Sequence, residues 1–220
     1  MADSDNRQYK YVPGPSARRM EYETIIQWIH PGARVLDLGC GEGSLLEELI
    51  QRKKVVGEGL EASPTGVEIC RRKGLSVREG KIDSGALPWA DRSFDIAICN
   101  VTLQMVMYPE KLVGEMMRLA TTLIISFPNF ANIRNRWELL MRGRMPRAML
   151  FGHAWWNTGH LHQLSTRDFQ EFAKNHSLQI TRTCHFGALA RWGFCRVFPN
   201  LFSTIALFEL TSGDRSRPTR

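Results

Sequence analysis

The stretch Val35-Leu36-Asp37-Leu38-Gly39-Cys40-Gly41-Glu42-Gly43 decides how this chain is read. Apolar residues around one aspartate read as a buried strand. Three glycines follow at alternate positions, and Leu45, Leu46, Glu47, Glu48 and Leu49 then favour a helix. That order puts a backbone loop at the carboxyl end of a sheet strand, where open α/β sheets bind ligands. Glycine suits such a loop because it accepts positive φ and lets a ligand approach the backbone. The spacing of Gly39, Gly41 and Gly43 is G-x-G-x-G, not the G-x-G-x-x-G of dinucleotide turns, and no Lys-Ser/Thr pair follows to cradle phosphate. Asp37, two residues before the first glycine, is badly placed for a pyrophosphate and suits a ligand that carries positive charge.

Working outward, a second strand at 55–61 ends on Glu61, with Ala62 beside it. A carboxylate at that strand end can accept hydrogen bonds from both hydroxyls of a ribose, the logic of dinucleotide folds. Ser63-Pro64 starts a helix, serine as N-cap and proline at the first helical position. A short third strand is expected at 75–77, a fourth at 94–99 ending at Asn100, a helix at 109–119 and a buried fifth strand at 123–127. Such alternation predicts a doubly wound, mainly parallel sheet with helices on both faces. Asp95, at a strand entry, reads as structural. Upstream, residues 20–29 form a helix, and 1–19 are expected to be a flexible tail, the alternative being partial order near the ligand mouth with Tyr9 and Tyr11 over the ligand. Downstream come a helix capped by Ser165 or Thr166, a sixth strand at 179–184, a long connection at 187–200, a seventh strand at 201–210 and a polar tail at 211–220. Residues 20–210 are thus expected to form one domain.

The segment after the fifth strand interleaves arginine with aromatic residues. It runs through Phe130, Arg134, Arg136 and Trp137 to Arg144, Trp155 and Trp156. This cover, at about 128–160, either docks a partner, since Trp and Arg favour interface hot spots, or packs its rings inward as a lid. Charge sharpens the contrast. Residues 1–130 carry 16 Lys+Arg against 17 Asp+Glu, whereas 131–220 carry 13 against 5, twelve of them arginine. The excess fits an acidic partner, an anionic ligand or simply a solvated basic face. No stretch approaches the roughly 18 apolar residues of a membrane helix, and the amino terminus lacks an apolar export signal. Cys40, Cys70, Cys99, Cys184 and Cys195 form no C-x-x-C pair, so neither a disulfide framework nor a metal site is expected, and a reducing cytoplasm fits.

The Asp-Leu-Gly-Cys-Gly-Glu-Gly run resembles the first motif of class I S-adenosylmethionine-dependent methyltransferases. The resemblance implies a Rossmann-like sheet of seven strands and a site for S-adenosylmethionine or S-adenosylhomocysteine. It places Asp37, Gly39, Cys40, Gly41, Gly43, Glu61, Ala62, Asp83, Ser84 and Asn100 at that cofactor, Asp83 at the adenine amino group and Asn100 near the methyl. Further segments resemble the methionine-biosynthesis MetW family: Gly59-Leu60-Glu61, Thr102-Leu103-Gln104, Phe127-Pro128-Asn129-Phe130, Gly143-Arg144-Met145-Pro146 and Trp155-Trp156-Asn157-Thr158. The likeness covers about residues 21–185. His160-Leu161-His162 departs from it, with only His162 matching.

Two readings follow from that family. In one, the chain is an S-adenosylmethionine-binding partner of a homoserine O-acyltransferase, acting through the segment at 128–160. In the other it is an active methyltransferase on an unidentified acceptor, positioning its reactants in line. A general base would then come from His162, His153, His160 or Tyr108, none marked out by a motif. His160-x-His162 lacks a third ligand for a metal. Nucleic acid is a distant third partner, because no RNA-binding module or base-flipping motif accompanies the arginine-aromatic run.

Overall fold

The glycine stretch opens a seven-stranded sheet. The computed structural model describes Tyr11 and residues 19–83, 85–147, 150, 155–156, 158–187 and 193–212. Parallel strands β1 (Arg34–Leu38), β2 (Val56–Glu61), β3 (Ser76–Glu79), β4 (Phe94–Asn100) and β5 (Ala120–Pro128) are joined at one edge by an antiparallel pair, β6 (Leu178–Phe186) and β7 (Ile205–Ser212). The order is β3-β2-β1-β4-β5-β7-β6. It reverses between β1 and β4, so the ligand crevice of a doubly wound sheet falls above Asp37 and Asn100.

Alternating side chains build one core layer on each face. Val35, Ile96, Ile98, Ile124 and Leu207 pack under α1 (Tyr22–Trp28) and α2 (Ser44–Lys53), against Ile25, Ile26, Leu45 and Leu49. Leu36, Leu38, Ala97, Cys99, Leu123 and Ile125 face the other way, against Leu112, Val113 and Met116 of α4 (Pro109–Leu119) and Phe169 of α6 (Thr166–Asn175). Phe127, Phe169 and Phe208 close that layer with ring centroids 4.8–5.8 Å apart.

Local chemistry sets the boundaries. Ser63 caps α3 (Pro64–Arg72) by accepting the Gly66 N–H, and Ser165 with Asp168 forms a capping box on α6. Asp95 is structural as read. It accepts the Arg34 N–H and guanidinium, both at 2.8 Å, and the guanidinium holds its carboxyl below the usual carboxylate range. Arg118 donates to the Leu87 and Trp89 carbonyls and to Asp91 and Glu115, tying the 87–91 loop to α4.

Three expectations need correction. The cover contains a helix, α5 (Ile133–Arg142), that its arginine-rich pattern concealed. Leu201 and Phe202 belong to α8 (Pro199–Phe202), which follows α7 (Phe194–Val197), and β7 starts only at Ile205. Proline at the first position of α8 and the Ser203 hydroxyl bonded to the Pro199 carbonyl hold that last turn. Tyr11 follows the alternative of partial order and not the flexible tail: it packs on the glycine loop. Its backbone N–H donates to Thr65 Oγ1 at 3.2 Å, and its hydroxyl lies 3.0 Å from where a Cβ on Gly41 would sit. Residues 1–10 and 12–18 lie outside the described residues.

Candidate functional site

The three loop glycines all have positive φ. Gly39 needs its missing side chain for space as well, because a Cβ would come 2.7 Å from Thr102 Cγ2. Thr102 is brought there by Val101, a β-branched residue at φ 52. Its N–H bonds to both the carbonyl and the hydroxyl of Ser126 at 3.0 Å. Backbone strain of this kind persists only where the surroundings over-determine it. The end of β4 and the glycine loop are thus locked together at the reversal of strand order.

Glu61 is 6% exposed, and its two oxygens accept the Gly41 and Ser63 N–H groups, each at 2.8 Å. The carboxylate therefore shapes the loop before it meets any ligand, and each oxygen keeps a lone pair for a hydroxyl. Ala62 is exposed between Glu61 and the Ser63 cap. Gly66 approaches so closely that a Cβ there would lie 2.8 Å from the Gly41 carbonyl oxygen. Glu61→Ala is expected to cost about 1–2 kcal/mol of stability through two orphaned buried donors and to weaken ligand binding by roughly tenfold or more. A thermal melt and calorimetric titration of the same variant read the two effects; unchanged affinity removes Glu61 from the site.

Asp37 is 2% exposed, and its Oδ1 has no hydrogen-bond partner. Burial first, then the Glu61 charge, pushes its carboxyl up to about 7, against the pull of Arg19. An orphaned buried carboxylate oxygen beside a glycine loop fits a ligand with a cationic group. Cys40 and Cys70 pack beneath the loop. The hydrogen bond with Cys70 and burial hold the Cys40 thiol protonated, which suits packing rather than nucleophilic chemistry.

Asp83 is half-buried and accepts the Met107 N–H at 3.3 Å, linking its loop to the turn before α4. Asn100 is already engaged: its amide donates to Glu21 Oε1 at 3.2 Å and accepts from the Ser126 hydroxyl. No described candidate base touches it. Tyr108 is exposed with the Lys111 ammonium 4.3 Å from its ring centroid. His162 is tied by its backbone to the Gln104 carbonyl, and its side chain lines an apolar cavity of about 210 Å³ with Leu103, Pro109 and Phe169. His160 is buried, with its N–H on Thr158 Oγ1. Ser84, His153 and Asn157 lie outside the described residues. Sequence reasoning did not anticipate the contact of Glu21 with Asn100 or the nearness of Tyr22 to the Asp37 charge. Glu21 and Tyr22 precede the glycine loop and read there as ordinary helix-start residues.

The cover turns its apolar side outward. Ile133, Trp137, Leu140 and Met141 recur at i, i+4, i+7 and i+8 on α5 and are exposed, Trp137 by 62% and Leu140 by 78%. Polar anchors hold the helix instead of a greasy face. Asn132 caps it and donates to the Ser203 carbonyl at 2.7 Å, Asn129 donates to Ser203, and Asn135 donates to the Phe130 carbonyl. Among the described residues, Trp155 and Trp156 are also exposed, stacked edge to face. These rings do not pack inward.

Strand order, glycine loop and the acidic end of β2 together define the class I S-adenosylmethionine-dependent methyltransferase fold. A solved methyltransferase of that kind from Mesorhizobium loti aligns with a TM-score of 0.65 at 18% identity, over 87% of this chain and 97% of its own. A Haloferax volcanii putative methyltransferase solved in complex with its Trm112 activator aligns at 0.63 and 18%, over 86% and 88%. The chain belongs to the methionine biosynthesis protein MetW family, whose pattern matches residues 19–210. The bifunctional methionine biosynthesis protein MetXA/MetW of Rhodopirellula baltica is 33% identical over 163 residues, 70% of this chain. That span is 26% of the relative, so the chain corresponds to about a quarter of it. No described helix is long and apolar enough to cross a membrane.

Proposed function

We propose that this protein binds S-adenosylmethionine through Asp37, the loop Gly39-Cys40-Gly41-Glu42-Gly43, Glu61 and Asp83, and serves as the cytoplasmic partner of a homoserine O-acyltransferase. The partner docks on α5. The observation that carries the reading is the exposed apolar stripe of α5, flanked on the helix by the exposed Arg134 and Arg136. A helix pinned by asparagines with Trp137 and Leu140 in solvent has the composition of an interface awaiting its other half. The fused relative supports the choice of partner, because one polypeptide there carries both names. Five free thiols suit a reducing compartment.

In the site, Glu61 would take the ribose hydroxyls, Asp83 the adenine amino group and Asp37 a positive charge of the ligand. The bound molecule supplies an activated methyl group. The chain's own residues hold and orient it, and none of the described candidates is positioned as a base at Asn100. The test is to mix the protein with its cognate acyltransferase and follow complex formation and acyl-transfer rate, with and without S-adenosylmethionine. A complex with an altered rate is expected. Separate elution with an unchanged rate sinks the partnership, whatever the cofactor does.

A further inference from the structure

Asp37 pairs in register with Ile98, Asn100 follows two residues along β4, and Ser126 pairs with Asn100 from β5. Val35, Ile96, Ile98 and Ile124 lie in the layer beneath α1. Asp37, Asn100 and Ser126, each two residues beyond a member of that layer, share its face at the carboxyl ends of three adjacent strands. Glu21 and Tyr22, at the start of α1, close over them. Ser126 Oγ accepts the Val101 N–H, so its single proton goes to Asn100 Oδ1. The amide is thereby oriented, with Nδ2 aimed at Glu21 Oε1.

Glu21 is 2% exposed, held by this neutral donor, and forms no ion pair with another described residue. Among the described residues a neutral amide is the partner of this buried carboxylate, and a glutamine oxygen would satisfy Asn100 as well. Asp37, with its orphaned Oδ1, stands on the same face. Tyr22 feels the charges of Arg19, Asp37, Glu21 and Glu42.

We propose that Glu21 belongs to the ligand site, where its carboxylate faces the sulfonium end of S-adenosylmethionine and, with Asp37, makes the site prefer that sulfonium over S-adenosylhomocysteine, whose sulfur is a neutral thioether. This rests on the reading of the site as an S-adenosylmethionine site. The two ligands differ by a methyl group and one positive charge. In a water-poor pocket that charge interacts strongly with two carboxylates, and the shared ribose and adenine contacts cancel in the comparison. A site with this preference reports the supply of methyl donor and not the product of its use.

Calorimetric titration of the full chain at about pH 8 with each ligand separately tests the inference, with thermal melts of every variant. The wild-type protein is expected to bind S-adenosylmethionine at least about tenfold more tightly than S-adenosylhomocysteine. Glu21→Gln is expected to lose roughly tenfold for the former and less than about twofold for the latter, and Glu21→Asp to keep most of the preference. Equal or tighter binding of S-adenosylhomocysteine by the wild type overturns the inference. So does a Glu21→Gln variant that weakens both ligands alike, the mark of a merely structural carboxylate. Binding of neither ligand by the wild type overturns the cofactor reading itself, a distinct result.

Discussion

Replacing Trp137 and Leu140 together by aspartate is expected to abolish capture of the homoserine O-acyltransferase without unfolding the protein. Both side chains stand in solvent on the outward stripe of α5, so neither loses a core contact. Exposed substitutions of this kind change stability by about 0.5 kcal/mol or less each, a shift of roughly 1–4 °C in melting temperature for a chain of this size. At an interface the same positions act differently. A buried tryptophan anchor is worth about 2 kcal/mol or more, and two adjacent anchors turned acidic weaken association by at least about a hundredfold. The surrounding arginines contribute mainly to encounter rate. Arg134→Ala with Arg136→Ala is therefore expected to slow association and flatten its salt dependence while leaving dissociation nearly unchanged. Surface-immobilised acyltransferase, with each variant flowed across it, separates these outcomes. Wild-type affinity in the double aspartate variant means that the stripe is not the docking face.

The first five strands were legible because each carries a local signal. β1 is an apolar run closed by glycines, β2 ends on an acidic residue before a Ser-Pro cap, and β5 is continuously apolar, as a strand covered on both faces must be. The helix α5 was illegible for the complementary reason. Periodicity reveals a helix when its apolar side faces the core, and here that side faces solvent while the contacts inward are asparagine amides. The place of Glu61 at a strand end is legible, but the task the structure shows for it, holding the Gly41 and Ser63 amides, depends on loop geometry that no spacing encodes. The contact of Glu21 with Asn100 was illegible because the two stand 79 residues apart in the chain. Long-range pairing of two polar residues leaves no mark in either neighbourhood.

In the proposed site Asp37 sets ligand binding against stability, and Asp37→Asn exposes the conflict. The folded-state carboxyl, held up to about 7 by burial and by Glu61, must ionise at a position where Oδ1 has no donor. A raised carboxyl pKa means that the folded protein binds this proton more tightly than the unfolded chain does. The favourable contribution is then complete below pH about 4 and is lost as pH rises toward about 7. Arg19 is the cation that opposes the effect. Tyr22, Cys40 and Cys99 also feel the Asp37 charge, and Glu61 adds to it from β2. Asparagine removes the ionisation. The ligand-free variant is expected to be more stable than wild type by about 2–4 kcal/mol near pH 8 and to lose that advantage near pH 4. Its ligand affinity should move the opposite way, falling by roughly tenfold or more at pH 8, because the cationic ligand is what offsets the buried charge. Binding to the wild type should accordingly release a proton near neutrality, visible as a dependence of calorimetric heat on the ionisation enthalpy of the buffer. Denaturant melts of both proteins across this pH range, with and without S-adenosylmethionine, check the sign. A variant that is destabilised at pH 8 without ligand contradicts the assignment of an uncompensated charge, and a variant that gains stability yet binds as wild type places the cation elsewhere.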